Sequence, residues 1–228
     1  MYASIAPVPR STYMLGSTRL AVPTVFIVDD DVSVRESLEL LVAAAGWRPE
    51  LFACASEFLA RPRVSQLSCL VLDLGLPDIN GLELQERIAA RNDLPIIFIT
   101  GHGDIPSTVR AMKAGAVEFL TKPLLPEVVL SAIRGALERS RASLDEAANL
   151  QTLRARHQSL SAREREVMSL VVLGQMNKQV GGELGITEVT VKAHRGRMMR
   201  KMGARSIAEL VNMAARLGHA TAGATSTE

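Results

Sequence analysis

Cysteine is nearly missing from this chain: Cys54 and Cys69 are the only two among 228 residues. Two are too few for a disulfide framework, and their spacing suits no metal site. Cys69 falls within an apolar run and is expected to be a small buried filler. Such cysteine usage belongs to a reducing cytoplasm. Long apolar runs are missing too. None approaches the ~20 residues that cross a bilayer, so neither a membrane span nor a membrane partner is expected. Residues 1–23 carry Arg10 and Arg19 but lack a compact apolar core followed by a small-residue cleavage site. They are expected to be a disordered extension rather than a secretory signal, with Met14 available as a second start. Net charge is small, at +2, while a hydrophobic content of 47% excludes wholesale disorder. There is no internal repeat, and strand signals cease beyond residue 160.

The small net charge conceals a division. Residues 24–140 hold 11 Lys and Arg against 16 Asp and Glu, a net −5, whereas residues 160–219 hold 10 against 5, a net +5. One acidic and one basic domain describe the chain better than one neutral protein, and the basic one points to nucleic acid.

In the acidic part, residues 24–28, 69–72, 95–99 and 117–120 form short runs rich in Val, Ile and Leu. Runs of this length and composition suit buried parallel strands. They stop at Asp29-Asp30, Asp73, Thr100 and Lys122-Pro123. In an open parallel α/β sheet the site forms at the carboxyl ends of the strands. Three carboxylates, a hydroxyl and an ammonium would therefore meet on one edge. That set can bind a divalent cation and accept a phosphoryl group on an aspartate.

Helix signals alternate with these strands. Asp31 caps a helix carrying Val34, Leu38, Leu41 and Val42 at helical spacing, with Gly46 as its stop. A short strand at 50–52 and a helix at 55–60 follow, the latter ended before Pro62. A turn with Pro77, Asp78, Asn80 and Gly81 precedes a helix at 82–90. Pro106 and Pro126 each start a further helix. Five βα units in succession predict a doubly wound, five-stranded parallel sheet. Residues 141–159, without Pro or Gly, are expected to form a helical linker. Residues 160–219 then predict an all-α unit of four helices, and 220–228 a disordered tail. Ser161 with Glu164 forms a capping box, Thr187 and Ser206 cap later helices, and Gly174, Gly185 and Gly203 are stops.

The order Asp29-Asp30, Asp73, Thr100, Lys122-Pro123 in a fivefold βα protein resembles the receiver domain (flavodoxin-like fold) of two-component response regulators. The stretch from Thr100 through Gly101, His102, Gly103 and Asp104 to Ile105, followed by Ala111-Met112-Lys113-Ala114-Gly115-Ala116, is similar to the FixJ branch. Independently, Leu160-Ser161-Ala162-Arg163-Glu164-Arg165-Glu166-Val167, Asn177-Lys178-Gln179 and Thr190-Val191-Lys192-Ala193-His194-Arg195 resemble the LuxR-type helix-turn-helix of the FixJ/NarL family. A fainter resemblance is to regulators of styrene or toluene catabolism.

The resemblance implies a role for each residue. Asp73 would be the phospho-acceptor, since a carboxylate attacking phosphorus gives an acyl phosphate. Asp29, Asp30, Asp73 and the Gly75 backbone carbonyl would hold Mg2+ (or Mn2+), an ion that prefers oxygen ligands. Asp31 is expected to cap rather than ligate. Lys122 would neutralise phosphoryl oxygens, preceding a cis Pro123. Thr100 and Phe119 would form the switch pair. His102 is expected at the surface, and Glu118 and Glu127 as solvated charges. Ile105, Val109, Arg110 and Lys113 would lie on the dimerisation face.

In the basic unit, the third helix would enter the major groove, with Lys192, Ala193 and Gly196 at base edges. Asn177, Lys178, Thr190, Arg195, Arg200 and Lys201 would meet phosphates, and Arg197 lies in the same basic stretch. Val191, Met198 and Met202 are expected to face the core. Gly181-Gly182 departs from an Ala-rich pattern, each Gly costing up to ~1 kcal/mol in a helix interior. The expected partners are a cognate sensor histidine kinase, promoter DNA, a second copy of the phosphorylated chain and RNA polymerase. Chemistry of its own would be limited to self-phosphorylation and self-dephosphorylation. Rival expectations are a constitutive DNA-binding protein with an unphosphorylated receiver, an aspartyl-phosphate hydrolase, and a LuxR-type sensor of a small molecule. Hydrolases need a second acid two residues after the nucleophile, where this chain has Gly75. The strand-end acids argue against the third.

Overall fold

The computed structural model describes residues 22–218, apart from 64, 90, 92 and 102–104. The chain divides into two compact units, with the boundary between Leu137 and Glu138.

In the first unit, β1 (Thr24–Val28), β2 (Arg48–Phe52), β3 (Ser68–Asp73), β4 (Ile96–Thr100) and β5 (Glu118–Thr121) form a parallel sheet. Their spatial order is β2-β1-β3-β4-β5. The intervening helices are α1 (Val32–Ala44), α2 (Ala55–Ala60), α3 (Gly81–Arg87) and α4 (Ile105–Lys113), and α5 (Pro126–Gln158) follows β5. Alternate side chains of a strand point to opposite faces. Phe26, Val28, Leu70, Leu72, Ile96 and Phe98 accordingly pack with Phe58 of α2, Leu84 of α3 and Ala111 of α4. Val25, Ile27, Cys69, Val71, Ile97 and Ile99 pack with Leu38 and Val42 of α1 and Val129 and Ile133 of α5. Both sheet faces are thus covered, which is why the central strands are apolar without alternation. The strand order reverses at β1, placing a crevice between the carboxyl ends of β1 and β3.

Local chemistry sets the helix starts. Asp31 accepts the Ser33 N–H at 2.8 Å and Asn80 the Leu82 N–H at 2.8 Å. The cap of α2 comes from elsewhere. Cys54 makes no side-chain cap, and Asp78 of the β3–α3 loop accepts the Ala55 and Ser56 N–H groups at 3.2 and 2.8 Å. Desolvation pushes the Asp78 carboxyl up, but the N–H donors of Ser56, Ile79 and Ala55 together bring it down to about 2. This tether is present above pH 3.8 and is released as pH falls towards about 2.

The helix expected at 82–90 is shorter, ending at Arg87. The linker segment continues α5 without a break to Gln158.

The second unit contains α6 (Ala162–Val172), α7 (Asn177–Leu184), α8 (Glu188–Met202) and α9 (Ile207–Arg216). Val167, Val171, Val180, Val191, Met198, Met202 and Leu210 form its core, joined by Leu153 of α5. Ser161 and Glu164 make the reciprocal capping box, and α7 and α8 end on Gly185 and Gly203 in the left-handed region (φ +66° and +72°). Glu164 is buried and receives the Lys201 ammonium at 2.6 Å. That hydrogen bond, with the Ser161 N–H, holds its carboxyl below the usual range.

The glycine pair of α7 is not equivalent. A Cβ on Gly181 would stand 2.8 Å from the Ile186 carbonyl oxygen, whereas one on Gly182 would meet open space. Gly182→Ala is expected to stabilise the second unit by about 0.5–1 kcal/mol, and Gly181→Ala to destabilise it. Urea unfolding followed by far-ultraviolet circular dichroism would show the two variants moving in opposite directions.

Candidate phosphoryl-acceptor site and nucleic-acid interface

The carboxyl edge of the sheet collects the expected residues. Asp29 directly follows β1 and is fully buried; Asp73 ends β3 and Thr100 ends β4, both buried. Lys122 follows β5, and its backbone N–H donates to the Thr100 carbonyl at 2.8 Å. The Lys122–Pro123 peptide bond is cis, as the resemblance implies. The Lys122 ammonium lies between the two acids, 2.8 Å from Asp29 Oδ2 and 2.9 Å from Asp73 Oδ1. Remaining carboxylate oxygens take backbone donors: Asp29 Oδ1 accepts the Asp31 N–H at 2.9 Å, and Asp73 Oδ2 the Gly75 N–H at 2.6 Å.

Burial pushes the Asp29 carboxyl above its usual range, against the pull of Lys122. Burial also works against the Lys122 charge, but the hydrogen bonds and charges of Asp29 and Asp73 outweigh it and raise its pKa. Lys122 therefore stands as a fixed cation beside Asp73.

Asp30 is exposed, and Asp31 caps α1 as expected. Among the described residues no three His, Cys, Asp or Glu side chains are gathered to hold a metal ion. The donors along this edge are nonetheless all oxygens, the set that Mg2+ prefers. Phe119 is half-buried, with its ring 6.1 Å from that of Phe98. On α4, Ile105 is 80% exposed, Val109 and Lys113 are exposed, and Arg110 lies 3.8 Å from Glu86. Glu118 and Glu127 are exposed as expected, while His102 lies outside the described residues.

Arg35 was not singled out by sequence. Its Nη1 donates to the Asp29 carbonyl at 2.6 Å, bracing the turn that carries the acids. An arginine early in a helix looks the same in sequence whether it braces a loop or is solvated. Gly81 was seen only as a turn residue. A Cβ there would lie 2.5 Å from the Asp73 carbonyl oxygen, so α3 can approach the end of β3 only with glycine.

In the second unit, α8 turns Val191, Met198 and Met202 fully inward. Lys192, Ala193, Arg197 and Arg200 are exposed, and Gly196 is half-exposed. Arg195 Nη1 donates to Asn177 Oδ1 at 2.9 Å, joining the middle of α8 to the start of α7. Lys178 is exposed. The Thr190 and Thr187 hydroxyls lie 2.9 Å apart, and Lys192 sits 3.4 Å from Glu188. Lys201 is engaged elsewhere: its ammonium reaches Glu164 and the Ser159 carbonyl. Its role in this structure is to fasten α8 to the capping box.

Comparison with known proteins follows the same division. Residues 25–134 match the response regulator receiver domain, and residues 158–214 the luxR family of bacterial regulatory proteins. Nodulation protein W of Bradyrhizobium diazoefficiens is 48% identical over 195 residues, covering 85% of this chain and 86% of its own. The transcriptional regulatory protein FixJ of Rhizobium meliloti is 42% identical, covering 84% and 94%. The low-resolution structure of the response regulator StyR superposes with a TM-score of 0.75 at 49% identity, covering 86% of this chain and 100% of that one.

Proposed function

Because this chain belongs to the two-component response regulators that join a receiver domain to a luxR-family DNA-binding domain, we propose that Asp73 is its phospho-acceptor. The observation that carries this is the buried Asp73 carboxylate, held on Lys122 beside Asp29 at the carboxyl edge of the sheet. A sensor histidine kinase donates the group. A carboxylate oxygen of Asp73 forms the new P–O bond, the P–N bond to the kinase histidine breaks, and the imidazole leaves with the electron pair. Lys122 neutralises the phosphoryl oxygens, and Asp29 keeps the ammonium in place. Asp29, Asp30, Asp73 and the Gly75 carbonyl would hold Mg2+ (or Mn2+), which would offset the repulsion between carboxylate and phosphate.

The Thr100 hydroxyl then bonds a phosphoryl oxygen and Phe119 moves on Phe98. The α4 face around Ile105, Val109, Arg110 and Lys113 changes shape, and two copies pair. A pair binds a two-fold promoter site more tightly than one copy, because the second half-site is engaged at high effective concentration. Lys192, Ala193 and Gly196 face bases. Asn177, Lys178, Thr190, Arg195 and Arg200 face phosphates, with Arg197 beside them. RNA polymerase is recruited from there, in the cytoplasm. Among the described residues no helix is long and apolar enough to cross a membrane. The protein is a transcription factor; its own chemistry stops at self-phosphorylation from small donors and self-dephosphorylation.

The test treats the full-length protein with Mg2+ and a small phosphodonor, and reads intact mass, solution size and DNA affinity. A one-phosphate gain with dimer formation and tighter DNA binding is expected. No phosphate and unchanged DNA binding would leave a constitutive DNA-binding protein. Asp30→Asn refines the cation's place. Asp30 is exposed, so folding stability should change by less than about 0.5 kcal/mol. The Mg2+ concentration needed for phosphorylation should rise, as a magnesium titration would read.

A further inference from the structure

On α8, Val189 is 76% exposed. Lone exposed apolar side chains are common; what marks this one is its register. Residues four and seven apart share a helix face, so Val189, Ala193, Gly196 and Arg200 form one stripe. Its opposite is the buried stripe of Val191, Met198 and Met202. Val189 is also the second residue of α8, and a recognition helix contacts base edges through its N-terminal residues.

The neighbouring polar groups are engaged locally, Thr190 on Thr187 and Lys192 on Glu188. Ala193 and Gly196 present almost no side chain. On this strip Val189 is the only branched apolar group, and with neither donor nor acceptor it gains in a groove only by packing against another apolar group. The major groove offers one such group, the 5-methyl of thymine.

We propose that Val189 is a specificity residue that packs on a thymine methyl in each half-site. This rests on α8 being the recognition helix. It assigns direct readout to a position outside the Lys192, Ala193 and Gly196 set, and it supplies selectivity that two residues as small as Ala and Gly cannot.

The test uses full-length phosphorylated protein and duplexes it retains from a random-sequence pool. Each thymine is replaced in turn by deoxyuridine, which removes only the methyl group. For the wild type, one thymine per half-site should lose about fourfold in affinity, the value of one buried methyl-sized group. Val189→Ala should bind the thymine duplex correspondingly more weakly and be indifferent to the replacement. Val189 is exposed and Ala is the better helix former, so the variant should fold, and its melting curve checks this. The proposal is overturned if no thymine methyl matters to the wild type, or if Val189→Ala loses the same factor on replacement. Retention of no duplex at all would overturn the recognition-helix assignment itself and the proposal with it.

Discussion

Asp73→Asn is expected to abolish acyl-phosphate formation completely while leaving the fold in place. The amide is close in size to the carboxylate but has no anionic oxygen to attack phosphorus. The Gly75 N–H can still donate to the amide oxygen, and Lys122 keeps Asp29 at 2.8 Å. The β3–α3 connection, where Gly81 packs on the Asp73 carbonyl, depends on backbone that the substitution does not alter. Intact mass after treatment with phosphodonor and Mg2+ should therefore show one phosphoryl group on wild type and none on the variant. Dimer formation and the gain in DNA affinity should vanish together, because both draw on the same modification. Basal DNA binding should remain, since α8 and its core lie in the other unit. Phosphate on the variant would place the acceptor elsewhere.

The second large effect is on stability. Lys122→Met should destabilise the receiver unit by about 3 kcal/mol when divalent cations are chelated. Its ammonium is the shared partner of Asp29, which is fully buried, and Asp73, which is nearly so. Removing one member of a buried charge pair typically costs about 3–5 kcal/mol, because the other is left uncompensated. The lysine side chain is 24% exposed, and solvent screening brings the expectation to the lower end. Methionine keeps the volume of the stem, so the loss is electrostatic rather than a cavity. Urea unfolding with chelator measures it, and added Mg2+ should restore part of the loss by supplying the missing positive charge. A variant as stable as wild type in chelator would show that the two carboxylates do not need the ammonium.

Much of this was legible in one dimension because the physics is local. Strands covered on both faces must be apolar throughout, so β1, β3 and β4 stand out as runs, and the residues that interrupt them mark the carboxyl edge. Asp29, Asp73, Thr100 and Lys122 were found that way. Caps such as Asp31 and the Ser161–Glu164 box act within a few residues, and α8 shows its inward stripe through the helical repeat of Val191, Met198 and Met202.

Other features depend on groups brought together by folding. Asp78 caps a helix 22 and 23 positions earlier, and Lys201 closes on Glu164 from 37 positions away. Arg35 braces the Asp29 carbonyl. Gly181 and Gly182 are identical neighbours, and only the approach of the Ile186 carbonyl separates one from the other. Asp30 follows Asp29 in sequence, yet one is exposed and the other fully buried beside Lys122. The sequence by itself determined the two units, their element order and the chemical set at the sheet edge, since periodicity and capping need only near neighbours. Tertiary structure alone decided which of those charges are paired, which glycines are obligatory and which side of α8 remains open, because pairing, close approach and exposure are set by what folding places opposite each group.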